Sequence, residues 1–495
     1  MSTNHHEHKH HLKIDDEWKI VRAIVGNFVH CTRHPFAVDE SPTSIIHNDR
    51  EDVVFLAPFL PLHLNHILAV CEEGKIRYFG PFTPFAWLKT VEIVTLPPYA
   101  FCCPGFIDLH HHAPQYAYAG TATDRLLTGP GGWLEEYAFP AERSLRDNPE
   151  QTRHLFQKVV QATLQRGTTS VVYFGTLDVV PCQQLVDAVL QYGQRAWVGK
   201  VCMDRNAPAD YCQPTQQNLT ETQQLVQYIY ETAGKRSTSP RLPLVFPLIT
   251  PRFIPTCTPE LLSALGDYAR SEDLHITTHI SESIDEVQWS QALEGGAEDA
   301  TILHQHGLLT RQSILAHGVW LSDTAAQLLR ETQSAIAHCP LSNFFFANQS
   351  LPCRKLLEQG NLVGLGTDIA GGYNPSMLSA CRCAVIASRT LDHQRQSLTN
   401  QHEQSSSASS TLLDYRHAFY MATLGGAYAL NMQNHLGNFE IGKDFDAVVL
   451  TVQSNIFVCP RRDTMADIFQ KLCNLADDRN VSHVFVAGKQ VIGSS

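Results

Sequence analysis

The sequence has no apolar run of about 18 residues, the minimum for a membrane-spanning helix, and no amino-terminal signal peptide. It therefore predicts a soluble protein of the cytoplasm that has no membrane as a partner. A basic stripe is absent as well, since 37 basic and 49 acidic residues give a formal charge of −12. This acidic balance argues against nucleic acid as a partner.

Paired cysteine motifs are also missing. The 14 cysteines are scattered and form no Cys-x-x-Cys pair, so we interpret them as reduced residues that mostly pack, and we predict no cysteine zinc site. The composition is that of an ordinary globular protein, with 43% hydrophobic and 17% charged residues. A length of 495 residues suggests two or three domains, although large barrel enzymes reach the same size.

The two ends of the chain differ from its middle. Residues 1–15 are rich in histidine and predict a disordered tail. Residues 16–97 and 436–495 contain short β-like runs separated by turn signals, such as Ile20–Val29 and Asp446–Val452. These two segments predict a small, discontinuous β-sandwich domain built from both chain ends.

Residues 98–435 alternate helical patterns with short apolar strands, which indicates an α/β class and a parallel βα architecture. A serine-rich patch at 401–410 interrupts this pattern and predicts a solvent loop. The strand count suits a closed, metal-dependent (β/α)8 barrel. The predicted strands are Phe106–Leu109, Thr169–Phe174, Val198–Met203, Leu244–Ile249, Ile276–His279, Ser313–His317, Ala335–His338 and Val363–Thr367.

The first of these strands ends in three consecutive histidines. Side chains two apart on a strand share a face, so His110 and His112 point together while His111 points away. Two converging imidazoles are half of a typical Zn²⁺ site. Taken alone, the triplet is equally compatible with a surface histidine cluster.

Other predicted strands also end in side chains that bind metals. His279 and His317 close two of them, and Asp368 follows a third. A lone histidine after a strand is more often a buried polar residue, and an aspartate before Gly-Gly is usually a turn residue. Four such residues at barrel strand ends are less easily accidental, and His110, His112, His279 and Asp368 match the nitrogen and oxygen ligands of Zn²⁺. His338 is interpreted as support for this site or as a loop residue.

The stretch Pro104–His112 resembles the entry motif of the amidohydrolase superfamily, whose members are zinc or iron hydrolases on a distorted TIM barrel. Further motifs are Gln115–Tyr116, Phe139–Glu142, Gly199–Asp204, Thr250–Phe253, Ser271–Glu282, Gly366–Tyr373, Ala422–Gly426 and Gly437–Lys443. Together these motifs resemble the guanine deaminase family of that superfamily, and the likeness extends over nearly the whole chain after about residue 20.

This resemblance implies hydrolysis of guanine by water to xanthine and ammonia, in purine breakdown or salvage, by a homodimer. It implies one Zn²⁺ per subunit, held by His110, His112, His279 and Asp368. Binuclear members of the superfamily place a carboxylated lysine at the end of the fourth barrel strand. The corresponding stretch here, Leu244–Phe253, contains no lysine, which favours a single metal ion.

The resemblance also implies roles for the remaining site residues. Asp368 would take the proton of the attacking water, which His317 would orient, and Glu282 would carry protons to the ring and to the leaving amine. Glu282 has a simpler alternative role as a cap of the next helix.

Substrate contacts follow from the same resemblance. Gln115 and Arg252 would bind the purine edge, Phe253 would pack on the ring face, and Trp133 would cover the pocket. For Arg252 the alternative is a structural ion pair, and for Trp133 it is core packing.

Two other functions compete with this interpretation. The first is another mononuclear aminohydrolase that acts on an adenosine-like, pterin or triazine substrate, because the metal ligands alone do not separate these enzymes. The second is a catalytically inactive scaffold on the same fold. The presence of all four ligand positions and of Glu282 argues against the scaffold.

Overall fold

The computed structural model of the protein describes residues 19–36, 53–121, 123–235, 241–399 and 412–493. The predicted histidine-rich tail (1–15) and the serine-rich loop (401–410) lie outside the described residues. Within those ranges, every helix is too short or too polar to cross a membrane.

The described residues contain 17 strands. They are β1 (Ile20–Val29), β2 (Val53–Ala57), β3 (Leu60–Cys71), β4 (Ile76–Pro81), β5 (Glu92–Thr95), β6 (Ala100–Pro104), β7 (Phe106–His112), β8 (Thr168–Phe174), β9 (Arg195–Cys202), β10 (Val245–Pro251), β11 (His275–Ile280), β12 (Ser313–His317), β13 (Ala335–His338), β14 (Leu362–Leu365), β15 (Ala447–Thr451), β16 (Val481–Val486) and β17 (Lys489–Ile492).

The α-helices of the same residues number 14. They are α1 (Phe139–Ser144), α2 (Pro149–Leu164), α3 (Val179–Tyr192), α4 (Thr215–Ala233), α5 (Pro259–Glu272), α6 (Ile284–Leu293), α7 (Asp299–Gln305), α8 (Asp323–Glu331), α9 (Pro340–Phe346), α10 (Cys353–Glu358), α11 (Met377–Thr399), α12 (Tyr415–Ala422), α13 (Leu424–Ala429) and α14 (Met465–Leu475).

Strands from both chain ends form one hydrogen-bonded sheet of nine strands, in the order β17-β16-β15-β6-β1-β3-β2, with β4 on β3 and β5 on β1. A small β-sandwich domain built from both chain ends was predicted, and the structure joins strands of both ends in this one sheet, separate from the barrel. However, β6 belongs to this sheet, between β1 and β15, although the sequence assigned residues from 98 onward to the barrel. Its apolar run continues directly into β7, so hydrophobicity alone does not separate the two strands.

A glycine makes the passage from this sheet to the barrel possible. Gly105 separates β6 from β7, and a Cβ atom at this position would collide with the Thr169 side chain on β8. Only a residue without a side chain allows the backbone to pass this close to its neighbour.

Eight parallel strands form the barrel, in the order β7 through β14. All eight predicted strands are present, which confirms the α/β class and the distorted TIM barrel. Strands such as β8 and β10 are buried along their entire length, because a parallel sheet is covered on both faces. This explains why these strands are continuous apolar runs rather than alternating patterns.

The barrel closes through the segment that follows β14. The Asp368 N–H donates to the His110 carbonyl oxygen at 2.8 Å, and the His112 N–H donates to the Ile369 carbonyl oxygen at 3.0 Å. The Asp108 carboxylate accepts from the Thr367 N–H at 2.9 Å and from the Thr367 hydroxyl at 2.5 Å. These hydrogen bonds tie the first barrel strand to the end of the last one.

Small residues on β14 permit this closure. A Cβ atom at Gly364 would collide with Leu109 Cδ1, and one at Gly366 would lie 2.9 Å from His110 Cβ. Contacts this short force side chains out of their preferred rotamers. The glycines therefore let β14 and the residues after it approach β7 closely.

A buried ion-pair cluster joins the barrel to the terminal sheet. Arg195 at the start of β9 is fully buried and contacts Asp444 and Asp446 at 2.9 Å each. Asp444 also pairs with Lys75 near β4. Removing one partner from such a cluster leaves an uncompensated buried charge, so the cluster fixes how the two sheets meet.

The closure predicts a specific coupling between two core positions. We expect Gly364→Ala to destabilise the fold by about 1–3 kcal/mol, because its new methyl group overlaps Leu109. Leu109→Ala creates a cavity, but in that background the added methyl group has room. Urea unfolding of both single variants and the double variant should therefore show that Gly364→Ala costs less stability in the Leu109→Ala background than in the wild type. An equal cost in both backgrounds would contradict the proposed contact.

Candidate active site

The barrel gathers the candidate metal ligands at the carboxyl ends of its strands. His110 and His112 lie on β7, His279 on β11 and His317 at the end of β12, while Asp368 follows β14. All five side chains are buried, with at most 8% of their surface exposed. The structure thus brings together every metal-binding residue that the sequence proposed.

Distances between the side chains define one compact cluster. His112 Nε2 lies 3.0 Å from His279 Nε2. Asp368 Oδ1 is 3.3 Å from His110 Nε2 and 3.6 Å from His112 Nε2. One potential ligand atom from each of His110, His279 and His317 lies within 4.8 Å of the others, and the same holds for His110, His112 and Asp368.

Three residues in or next to this cluster have unusual backbone conformations. Ser281, His317 and Asp368 adopt positive φ values of 45°, 75° and 48°. Such conformations cost about 1–3 kcal/mol each and persist only where surrounding contacts impose them. For Ser281 the contact is Asp299, which accepts from its N–H at 2.8 Å and from its hydroxyl at 3.1 Å.

The hydrogen bonds at the rear of two imidazoles leave their inner nitrogens available. His279 Nδ1 contacts the Arg252 carbonyl oxygen at 2.6 Å, so it carries the proton and leaves the Nε2 lone pair facing His112. His317 Nδ1 lies 3.0 Å from Asn343 Oδ1, with the same consequence for its Nε2.

Several nitrogens in the cluster lack hydrogen-bond partners among the described residues. Both ring nitrogens of His110, Nδ1 of His112 and Nε2 of His317 are buried in this state. Buried polar atoms are nearly always paired, so such a group requires an explanation. A divalent metal ion with nitrogen and oxygen ligands fits both the atoms and their convergence.

Burial and neighbouring charges prepare these groups to bind a cation. Burial lowers the pKa of His112 and of His279 well below the usual range for histidine, and the adjacent imidazoles add to this effect. Both rings are therefore neutral, as metal ligands must be. Burial acts to raise the pKa of Asp368, but His110, His317 and His112 hold it well below its usual range.

Glu282 lies beside this cluster, and its pKa is shifted in the direction opposite to that of Asp368. Burial, and then the charge of Asp368, raise the pKa of Glu282 well above its ordinary value. Its Oε1 is 3.5 Å from His317 Nε2. The site thus holds an ionised carboxylate and a protonated one, which is the arrangement expected of a base and an acid that work together.

The alternative role of Glu282 as a helix cap is wrong. Helix α6 begins at Ile284, and its cap is Ser283, whose hydroxyl accepts from the Glu286 N–H at 3.3 Å. The Glu282 side chain instead lines the central cavity.

The predicted substrate-binding residues surround this cavity. Gln115, Arg252, Phe253 and Trp133 all contribute to its wall, together with Leu127, Leu134, Ser342, Phe346 and Gly371. Trp133 packs against Phe346, with ring centroids 5.2 Å apart, which is the packing role that the sequence left as an alternative.

Arg252 also forms the ion pair that the sequence left as an alternative. Its Nη1 and Nη2 donate to Glu142 Oε2 and Oε1 at 2.7 and 3.1 Å. Glu142 lies in one of the motifs that carry the resemblance, but the sequence assigned no role to it or to Asp108. Nothing in local spacing connects these carboxylates with Arg252 and Thr367, because those partners lie more than 100 residues away in the chain.

The two histidines without a firm sequence assignment have defined surroundings. His111 packs edge-on against Tyr173 of β8, with ring centroids 5.1 Å apart, and so faces the neighbouring strand. His338 Nδ1 lies 3.4 Å from Asn343 Nδ2. Asn343 also contacts His317, so His338 is connected to the site through Asn343.

Comparison with known proteins agrees with this architecture. The model of the amidohydrolase family matches residues 101–491. Guanine deaminase of Dictyostelium discoideum is 40% identical over 394 residues, which cover 79% of this chain and 82% of that protein. Guanine deaminase of Rattus norvegicus is 36% identical over 449 residues, which cover 86% of this chain and 92% of that protein.

A solved structure extends the likeness to three dimensions. Guanine deaminase from C. acetobutylicum, determined with guanine bound in its active site, is 26% identical and has a TM-score of 0.79. The match covers 95% of this chain and 99% of that chain. The chain therefore belongs to the amidohydrolase family, in the group that contains these guanine deaminases.

Proposed function

We propose that the protein is a guanine deaminase that uses one zinc ion per subunit to convert guanine and water into xanthine and ammonia. The observation that carries this proposal is the cavity itself. It is lined by members of a histidine–aspartate cluster suited to a metal, by Glu282, and by the hydrogen-bonding side chains of Gln115 and Arg252. The guanine deaminases among its relatives support the choice of substrate.

His110, His112, His279 and Asp368 would hold the zinc ion. When bound, zinc lowers the pKa of a water molecule to about 7, which supplies a nucleophile at neutral pH. Asp368, held as an anion by the surrounding imidazoles, would accept a proton from the attacking water. His317 orients the water, and its ring is itself fixed by Asn343.

Glu282 moves the remaining protons. Its raised pKa keeps it protonated, so it donates a proton to N3 of the ring as oxygen bonds to C2. Glu282, now a carboxylate, takes up the proton of the new hydroxyl group and delivers it to the exocyclic amine. The C2–N bond breaks as the carbonyl of xanthine forms at C2, and ammonia leaves. The proton held by Asp368 then returns to Glu282, so that both carboxyl groups regain their starting states.

The cavity wall would bind and orient the purine. Gln115 and Arg252 hydrogen-bond its edge, and Phe253 packs against its ring face. Trp133, which also lines the cavity, would cover the bound ring. Holding the ring in one orientation places C2 toward the metal ligands and Glu282.

The proposal also includes a homodimer in the cytoplasm that serves purine breakdown or salvage. This part is supported by the family resemblance alone. Light scattering on the purified protein should give twice the mass of the single chain.

The substrate is tested directly by turnover. The zinc-loaded protein should convert guanine to xanthine with release of one ammonia per guanine, measured by absorbance and by an ammonia assay. Adenosine, a pterin and an aminotriazine serve as comparison substrates. Negligible loss of guanine together with rapid deamination of one of these would assign the protein to another aminohydrolase.

The zinc requirement gives a second test. Metal analysis should find one zinc per chain, and a chelator should abolish turnover and lower the melting temperature, since the metal binds only the folded cluster. Added zinc should restore both. A protein that lacks zinc and stays inert after its addition would instead be the scaffold.

The proposed proton carrier is tested by Glu282→Gln. This change keeps the side-chain shape but replaces the ionisable carboxyl group with an amide that cannot act as an acid or a base. We therefore expect kcat to fall by about 10²–10⁴-fold while zinc content stays at one per chain. Glu331→Gln, the same chemical change at an exposed position of α8, is the matched control and should retain wild-type turnover. Wild-type kcat in Glu282→Gln would remove the carboxyl group from the mechanism.

A further inference from the structure

We propose that Glu142 is a positioning residue that fixes the orientation of the two purine-binding side chains, Gln115 and Arg252. Glu142 does not line the cavity; it lies behind the wall that those two residues form. The inference rests on the proposed function, because it assigns Gln115 and Arg252 to substrate binding.

The carboxylate of Glu142 accepts four hydrogen bonds. Oε1 accepts from Arg252 Nη2 at 3.1 Å and from Gln115 Nε2 at 2.8 Å. Oε2 accepts from Arg252 Nη1 at 2.7 Å and from the Tyr211 hydroxyl at 2.9 Å. Glu142 is fully buried, so no water competes for these donors. A bidentate pair between arginine and a carboxylate is geometrically specific as well as strong.

Local structure places this carboxylate behind the cavity wall. Glu142 lies in the short helix α1, which also carries Phe139. The Arg252 guanidinium lies over the Phe139 ring, 4.9 Å from its centroid. One helix therefore holds the guanidinium both by a bidentate ion pair and by a ring face, and both contacts restrict its rotation.

The amide of Gln115 is fixed from both of its ends. Its nitrogen donates to Glu142, and its oxygen accepts from the Ala370 N–H at 3.1 Å. A glutamine amide in isolation rotates freely between two orientations that exchange donor and acceptor. Glu142 accepts only, so it selects the orientation in which the nitrogen points toward the carboxylate.

This arrangement determines which groups face a ligand. Arginine has five N–H donors and glutamine two, and the contacts with Glu142 use two from Arg252 and one from Gln115. The donors that remain can bind a carbonyl oxygen or a ring nitrogen. Without Glu142, the Gln115 amide would be held only through its oxygen, by the Ala370 N–H.

Glu142 also determines the charge of the wall. A buried guanidinium without a partner attracts an anion, and it carries a large desolvation cost. Paired with Glu142, Arg252 offers its donors without a net charge. The wall then suits a neutral heterocycle with hydrogen-bond acceptors better than an anionic ligand.

Two variants of Glu142 test the assignment. Glu142→Gln removes the charge, whereas Glu142→Asp keeps the charge but shortens the side chain by one methylene group. Misplaced binding groups hold the substrate less well. We therefore expect kcat/KM for guanine to fall by about 10²-fold in Glu142→Gln, mainly through a higher KM. Glu142→Asp should recover part of this loss, and zinc content should remain at one per chain in both.

Asp446→Asn provides the matched control. It weakens another buried ion pair, that of Arg195, which lies at the start of β9 rather than at the carboxyl ends of the strands, where the cavity lies. We expect it to lower the melting temperature as the Glu142 variants do but to leave the KM for guanine unchanged. An equal rise of KM in Asp446→Asn, or a wild-type KM in either Glu142 variant, would overturn the proposal. If Glu142→Gln does not fold, Glu142→Asp decides.

A structural readout separates this inference from the proposed function. In crystals of Glu142→Asp, the Arg252 guanidinium and the Gln115 amide should occupy positions different from those of the wild type, whatever the substrate is. Failure of the wild-type protein to deaminate guanine would overturn the proposed function and leave this prediction standing. Unchanged positions of both side chains would overturn the role of Glu142 even in an active guanine deaminase.

Discussion

The hydrogen bonds between β7 and the residues after β14 close the barrel, and the same hydrogen bonds bring together the histidines and the aspartate of the candidate metal site. Thr367 donates twice to the Asp108 carboxylate, and the Asp368 N–H donates to the His110 carbonyl oxygen. Burial raises the pKa of Asp108 to about 6 against the opposing effect of these donors. The closure therefore places one buried carboxylate behind the site and a second, Asp368, in it. Ligands from the first and last strands meet only because the sheet closes on itself.

Burial also sets the protonation states of the histidines and carboxyl groups in the site. The same low-dielectric surroundings keep His112 and His279 neutral and keep Glu282 protonated, because in each case burial disfavours the charged form. The pKa of Asp368 is instead lowered, because the imidazoles around it stabilise its negative charge. An acid and a base thus arise from two carboxylates a few ångströms from the same histidine, His317, whose Nε2 lies 3.5 Å from Glu282 and 3.7 Å from Asp368.

Much of this arrangement followed from local pattern. The eight strands were predicted because each is a short apolar run, and the cluster was predicted because parallel strands bring their carboxyl ends to one face. The boundary of the barrel segment was placed before β6, although β6 pairs with β1 and β15 of the terminal sheet, because the apolar run of β6 continues into that of β7. Asp108 and Glu142 received no role for a related reason. Each acts through donors far away in the chain, such as Thr367 and Arg252, and no periodicity in the sequence records such pairings.

Arg252 connects the two halves of the cavity. Its carbonyl oxygen holds the ring of His279 through Nδ1 and also accepts from the His279 N–H at 3.2 Å. Its guanidinium, at the other end of the residue, is held by Glu142 and lines the cavity. A displacement of this residue would therefore disturb both the His279 ring and the cavity wall. The ion pair with Glu142 anchors the side chain of Arg252, and the hydrogen bonds with His279 of β11 anchor its backbone. The position of the cavity wall relative to the histidine–aspartate cluster therefore depends on one residue that is held at both ends.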